Sequence, residues 1–111
     1  MVRDFFLGFI RIHVLHHAAE EPVYGLWLIE ELGRHGYALS PGTLYPILRD
    51  LADGRYLRLE RRLVEGRIRK YYRITARGRR ALASARTQIT ELMGEVLEPQ
   101  RQHPRAKMNR R

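Results

Sequence analysis

The chain has 111 residues, 44 % hydrophobic and 30 % charged, enough for one domain with a modest core. It has no cysteine, which excludes disulfides, thiolate metal sites and cysteine nucleophiles, and no apolar run near the roughly 18 residues that span a bilayer. Net charge is +9 and unevenly placed: residues 55–86 hold twelve Lys/Arg against two acids, a net of +10, the footprint of a surface for a polyanion. The N-terminus has Asp4 before a short apolar stretch and no small-residue cleavage site, so no signal peptide is read and a cytoplasmic protein with no membrane partner is expected.

Residues 4–19 predict a first helix with Asp4 as its N-cap. Leu7, Ile10 and Val14 form one apolar stripe and Phe5, Phe9 and Ile12 another, so this helix needs two partners. Glu-Glu-Pro at 20–22 ends it. Leu28, Ile29 and Leu32 support a short second helix over 24–34, closed by Gly36. A third helix starts with Ser40 as N-cap and Pro41 at its first position, carries the stripe Leu44, Ile47, Leu48 and Leu51, and stops at Gly54. Pro46 sits one turn inside it, where a lost N–H normally weakens a helix.

The period then changes from helical to alternating. Leu57, Leu59 and Leu63, then Ile68, Tyr72 and Ile74, read as two strands around a projecting tip, Glu65-Gly66-Arg67. Thr75 caps a last helix running to about Glu98, with Pro99 as its stop. Its apolar residues Leu82, Ala85, Ile89, Leu92 and Val96 recur as a heptad seam suited to a second copy of the chain. The predicted organisation is a DNA-binding domain over 1–75, whose first helix also serves the dimer, a dimerisation helix over 76–98, and a disordered basic tail over 99–111.

Three helices followed by a hairpin predict a mainly α fold with a small β-hairpin, the winged helix-turn-helix, whose third helix enters the major groove of duplex DNA. The face of that helix away from its leucines presents Gly42, Tyr45, Pro46 and Arg49, with Ser40 and Thr43 near its start. The wing adds Arg67, Arg69, Lys70 and Arg73 as phosphate-neutralising contacts. No phosphate loop and no nucleophile elbow occurs, so no enzyme is predicted and no cofactor is required. A winged-helix nucleic-acid-binding protein without effector response is the alternative reading.

His13, His16 and His17 fall within one and a half turns of the first helix. At spacings of three and four they suit Zn²⁺, Ni²⁺, Co²⁺ or Cu²⁺ as an effector, with Glu91 or Glu95 of a second copy as a further ligand. The competing reading makes them polar edge positions of a packed helix.

Three stretches carry a resemblance: V-Y-G at 23–25, S-P-G-T-L-Y-P-I-L-R-D-L at 40–51 and G-R-I-R-K-Y-Y-R-I-T-A-R-G at 66–78. Together, in this order, they resemble the PadR family of bacterial transcriptional regulators, from about residue 5 to residue 97. The resemblance implies a homodimeric winged-helix protein, usually a repressor, that binds a palindromic operator and is released by a small effector. The short chain looks like the compact subgroup, in which the first and last helices build the dimer. There a cavity between protomers takes planar aromatic compounds; Phe5, Phe6, Phe9, Ile89, Leu92, Met93 and Val96 would line it here, or would simply form the dimer core. The compact drug-binding members carry a Trp in the last helix, whereas the single Trp of this chain is Trp27. The family match marks Thr43 and Tyr45 as DNA-facing, Arg67, Arg69 and Lys70 as wing contacts, and Tyr72 as the residue that packs the wing onto the body.

Overall fold

The computed structural model describes residues 2–97, which run α1 (Val2–Glu20), β1 (Val23–Tyr24), α2 (Gly25–Arg34), α3 (Pro41–Asp53), β2 (Leu57–Val64), β3 (Arg67–Ile74) and α4 (Ala76–Val96). The tail predicted over 99–111 lies outside the described residues. No helix among them is long and apolar enough to cross a membrane.

α1 starts at Val2, so Asp4 lies inside its first turn and does not cap it; there its carboxylate still favours the positive end of the helix. The two apolar stripes have different fates. Ile10, Val14, Leu15 and Ala18 are buried in the core, whereas Phe5 and Phe9 are 61 % and 54 % exposed. Ile12 of the second stripe packs partly on the core, so it is the Phe5 and Phe9 end of that stripe that is left open.

The sheet has one strand more than the sequence predicts. β1, only two residues long, pairs antiparallel with β3 through Val23↔Tyr72 and Tyr24↔Tyr71, giving the order β1-β3-β2. It fastens the wing to the segment that enters α2.

Leu44, Ile47, Leu48 and Leu51 of α3 are all buried. Ser40 holds the capping position with extended backbone, and its carbonyl accepts from the N–H groups of Thr43 (3.1 Å) and Leu44 (3.0 Å). Its side chain does not make the expected capping bond; the hydroxyl instead lies 3.5 Å from that of Thr43. The helix runs through Pro46 without a break. The bond lost there is to the carbonyl of Gly42, an exposed residue that water reaches, so the cost falls below the roughly 3 kcal/mol of a buried interior.

At the helix end the left-handed residue is Arg55 (φ 67°), not Gly54 (φ −78°). A Cβ at Gly54 would make a tight contact with the Tyr56 ring at 3.0 Å, which the ring would have to relieve by a small shift.

The hairpin closes on two residues, Glu65 (φ 51°) and Gly66 (φ 81°), the paired positive φ of a type I′ turn. Its register then follows, from Leu57↔Ile74 at the buried base to Val64↔Arg67 beside the tip.

Thr75 caps α4 as predicted. Its hydroxyl accepts from the Gly78 N–H (3.0 Å) and donates to the Arg55 carbonyl (2.6 Å), so the cap also pins the turn between α3 and the wing. Thr75→Ala is expected to cost about 1–2 kcal/mol, read by urea denaturation; an unchanged midpoint would contradict the double role.

Candidate nucleic-acid interface

α3 and the hairpin enclose an open groove of about 930 Å³. Tyr45 and Arg49 project from the helix side, Leu59, Lys70 and Tyr72 from the hairpin, and Tyr24 and Gly25 lie between them. The stripe of four buried leucine and isoleucine side chains determines which face of α3 is left for this groove. Tyr45 is 48 % exposed, and the rest of its ring is held against Gly25, where any Cβ would overlap it. The glycine that opens α2 and the tyrosine of α3 are therefore one packing unit. Burial pushes the Tyr72 phenol up, and the Tyr45 phenol adds to the shift.

Strand alternation divides the wing's cations between two faces. Residues directly opposite each other share a face, so Arg61↔Lys70 lies with Leu59↔Tyr72. Arg58↔Arg73, Arg62↔Arg69 and Val64↔Arg67 lie on the other. Three of these pairs set like charges opposite each other, which is destabilising in an isolated hairpin.

On the second face the repulsion is answered internally. Arg62 (3.0 Å) and Arg73 (3.2 Å) both bond the Glu60 carboxylate, and this clamp, Arg62 first, holds the Glu60 carboxyl below the usual range. Arg69 stacks over Tyr24 at 4.2 Å and Arg62 over Tyr71 at 4.4 Å. On the first face Arg61 and Lys70 have no acidic partner among the described residues; on the second, Arg67 beside the tip has none either.

These residues lie in a stretch with known relatives. Residues 14–84 match the Transcriptional regulator PadR-like family. The chain is 50 % identical over 96 residues to the transcriptional regulator Rv3488 of Mycobacterium tuberculosis, a match spanning 86 % of this chain and 90 % of that protein. The chain belongs to the PadR family. It is thus a transcriptional regulator, of a family that binds DNA and has no enzymatic role.

A PadR family transcriptional regulator from Eggerthella lenta is 34 % identical and superposes with a TM-score of 0.73, over 88 % of this chain and 89 % of that one. A Streptococcus transcriptional regulator, 24 % identical, shares the fold with a TM-score of 0.78, over 87 % and 97 % of the two chains.

The PadR fold sorts the residues singled out in the sequence. Gly42 and Ser40 are exposed at the start of α3, Thr43 is half-buried beside them, and Arg49 is exposed toward the groove. Arg67 and Lys70 are exposed, whereas Arg69 and Arg73 are half-buried and engaged within the wing. Sequence pattern alone does not mark Arg61, but its place follows once the turn is known to contain two residues: the register puts it opposite Lys70. Tyr24 and Gly25 belong to the V-Y-G motif of the sequence, and the fold adds their contacts to Arg69 and Tyr45.

Lys70→Ala is expected to weaken binding to all duplexes alike and lower the salt slope by about one unit, while Tyr45→Ala changes the preference between operators. Anisotropy titrations at several salt concentrations check this; a Lys70 variant with altered preference and an unchanged slope would contradict it.

The three histidines of α1 are not gathered as a set. Among the described residues, two groups with ligand atoms within 4.8 Å of one another form instead: His16, His17 and Glu20, and His17 with Glu31 and His35 of the α2 end. His35, which sequence spacing did not connect to α1, arrives through helix packing. Burial is the first cause holding the His13 and His17 imidazoles below their ordinary value; neighbouring histidines, led by His35 for His13 and His16 for His17, add to it. Of the residues expected around an effector cavity, Phe5, Phe9, Leu92, Met93 and Val96 are exposed and Ile89 is half-buried. Phe6 differs: it packs on the core, 5.4 Å from the Tyr37 ring.

Proposed function

We propose that this PadR-family regulator is a cytoplasmic homodimeric repressor that binds a palindromic operator through the α3–wing groove and is released by a small effector, a metal ion or a small hydrophobic molecule. The observation that carries the reading is the pair Arg61 and Lys70, like charges placed opposite each other, with no acid to answer them among the described residues. A phosphate backbone supplies the missing counter-charge, and releases its own counterions in doing so. Lys70 also lines the groove, where Tyr45 and Arg49 project from α3 as candidates for base-edge contacts.

Dimerisation is supported by the apolar residues left uncovered on α1 and α4: Phe5, Phe9, Leu92, Met93 and Val96. A twofold dimer would present two α3 helices to half-sites about 34–36 Å apart, one helical turn of DNA. Footprinting on DNA upstream of its own gene tests this reading: a protected palindrome is expected. Equal affinity for random duplex would sink it, in favour of a winged-helix protein that uses charge alone without responding to an effector.

A further inference from the structure

We infer that His17, Glu31 and His35 form a binding site for a first-row divalent metal ion, of the Zn²⁺ or Co²⁺ type, that ties the last turn of α1 to the end of α2. Glu31 Oε2 lies 3.2 Å from His35 Nε2 and 4.0 Å from His17 Nε2, and all three ligand atoms fall within 4.8 Å of one another. A tetrahedral ion with bonds of about 2.0–2.1 Å holds its ligand atoms about 3.3 Å apart, so closure needs movements of less than about an ångström. Two imidazoles and one carboxylate leave a fourth position open, and they match the borderline preference of these ions.

An independent observation points to the same place. His17 Nε2 is buried and has no hydrogen-bond partner among the described residues, on a side chain only 11 % exposed. Such an orphaned nitrogen costs free energy unless something occupies it. The other Glu31 oxygen is held by Arg34 at 3.2 Å, which fixes the carboxylate toward the two histidines. His13 stacks on the His35 ring at 5.6 Å and on the His17 ring at 6.3 Å, restricting both. Burial favours the neutral imidazole at His17, the form that ligates.

The alternative set, His16, His17 and Glu20, lies within α1 alone, with Glu20 exposed, and leaves Glu31 and His35 unused. The two sets make opposite predictions. Co²⁺ titration of the full chain without DNA is expected to give one tetrahedral visible band per chain. Affinity should fall more than about tenfold in His17→Ala, Glu31→Gln and His35→Ala, and stay unchanged in His16→Ala and His103→Ala.

His35 is half exposed at a helix end, so its replacement leaves the core intact, and circular dichroism verifies each variant. Because the chain has no cysteine, His35→Cys provides a further signature: a thiolate-to-Co²⁺ charge-transfer band, with the ion retained. Binding that survives His35→Ala and is lost in His16→Ala would overturn the site, as would the absence of any tetrahedral band in the wild-type chain. The measurement needs no operator, so its failure would leave the DNA-binding reading untouched.

Discussion

Replacing Leu92 and Val96 together with Glu is expected to yield a folded monomer whose affinity for a two-half-site operator is lower by about 10²–10⁴-fold. Both side chains are more than half exposed, so the change removes no core contact from the single chain. They are the last members of the seam Leu82, Ala85, Ile89, Leu92 and Val96. Only Leu82 is spent on the chain's own core, and burial fades along α4 beyond it. A seam facing its symmetry mate would bury four added carboxylates per dimer, each without a partner. Losing the dimer converts two linked half-site contacts into one, and the effective concentration of the second α3 is lost. Sedimentation together with anisotropy titration checks both parts. A double variant that remains dimeric would place the interface elsewhere.

Gly78→Ala is expected to destabilise the fold by about 3 kcal/mol, the upper end of the overpacking range. A Cβ at this position would overlap the Tyr56 carbonyl and approach the Ile74 Cγ1 within 2.7 Å. Neither neighbour has room to give. The Tyr56 carbonyl is backbone that accepts from the Thr75 N–H at 3.2 Å, and Ile74 is buried at the base of the wing. Gly78 thus lets the first turn of α4 press against the entry to the hairpin. Gly94 in the same helix has nothing within 4 Å of its Cβ direction, so Gly94→Ala should instead stabilise by about 0.5–1 kcal/mol. Urea denaturation of the two variants gives shifts of opposite sign; equal shifts would show that backbone entropy, not space, governs Gly78.

The parts of this structure legible in the sequence are those that repeat. The leucine stripe of α3 repeats at helical spacing, the hairpin alternates, and Thr75 precedes a long helical run; all three appear where expected. β1 is illegible because two residues show no period, and its pairing with Tyr71 and Tyr72 is a tertiary event. Arg61 depends on the length of a turn: counting the tip as three residues hides its register with Lys70, and counting two reveals it. His35 meets His17 only because α2 packs beside α1, which no local spacing encodes. Ser40 shows a subtler limit. The residue type and position fit a cap, yet its hydroxyl lies against Thr43 instead.

Pro46 can be understood only with the fold in hand. It is half-buried and follows the groove-lining Tyr45 in the chain, and the carbonyl it leaves unbonded belongs to an exposed glycine. A local penalty thus falls where solvent, or a ligand, can offset it.

The claim that the α3–wing groove faces DNA is tested most directly by tethered cleavage. The absence of native cysteine lets a single Glu65→Cys at the wing tip carry an iron chelate. Thr87→Cys, exposed on α4 away from the groove, carries the same chelate as a control. The predicted result is strand cleavage at the edges of each half-site from position 65 and none above background from position 87. Cleavage from position 87 with none from position 65 would contradict the account.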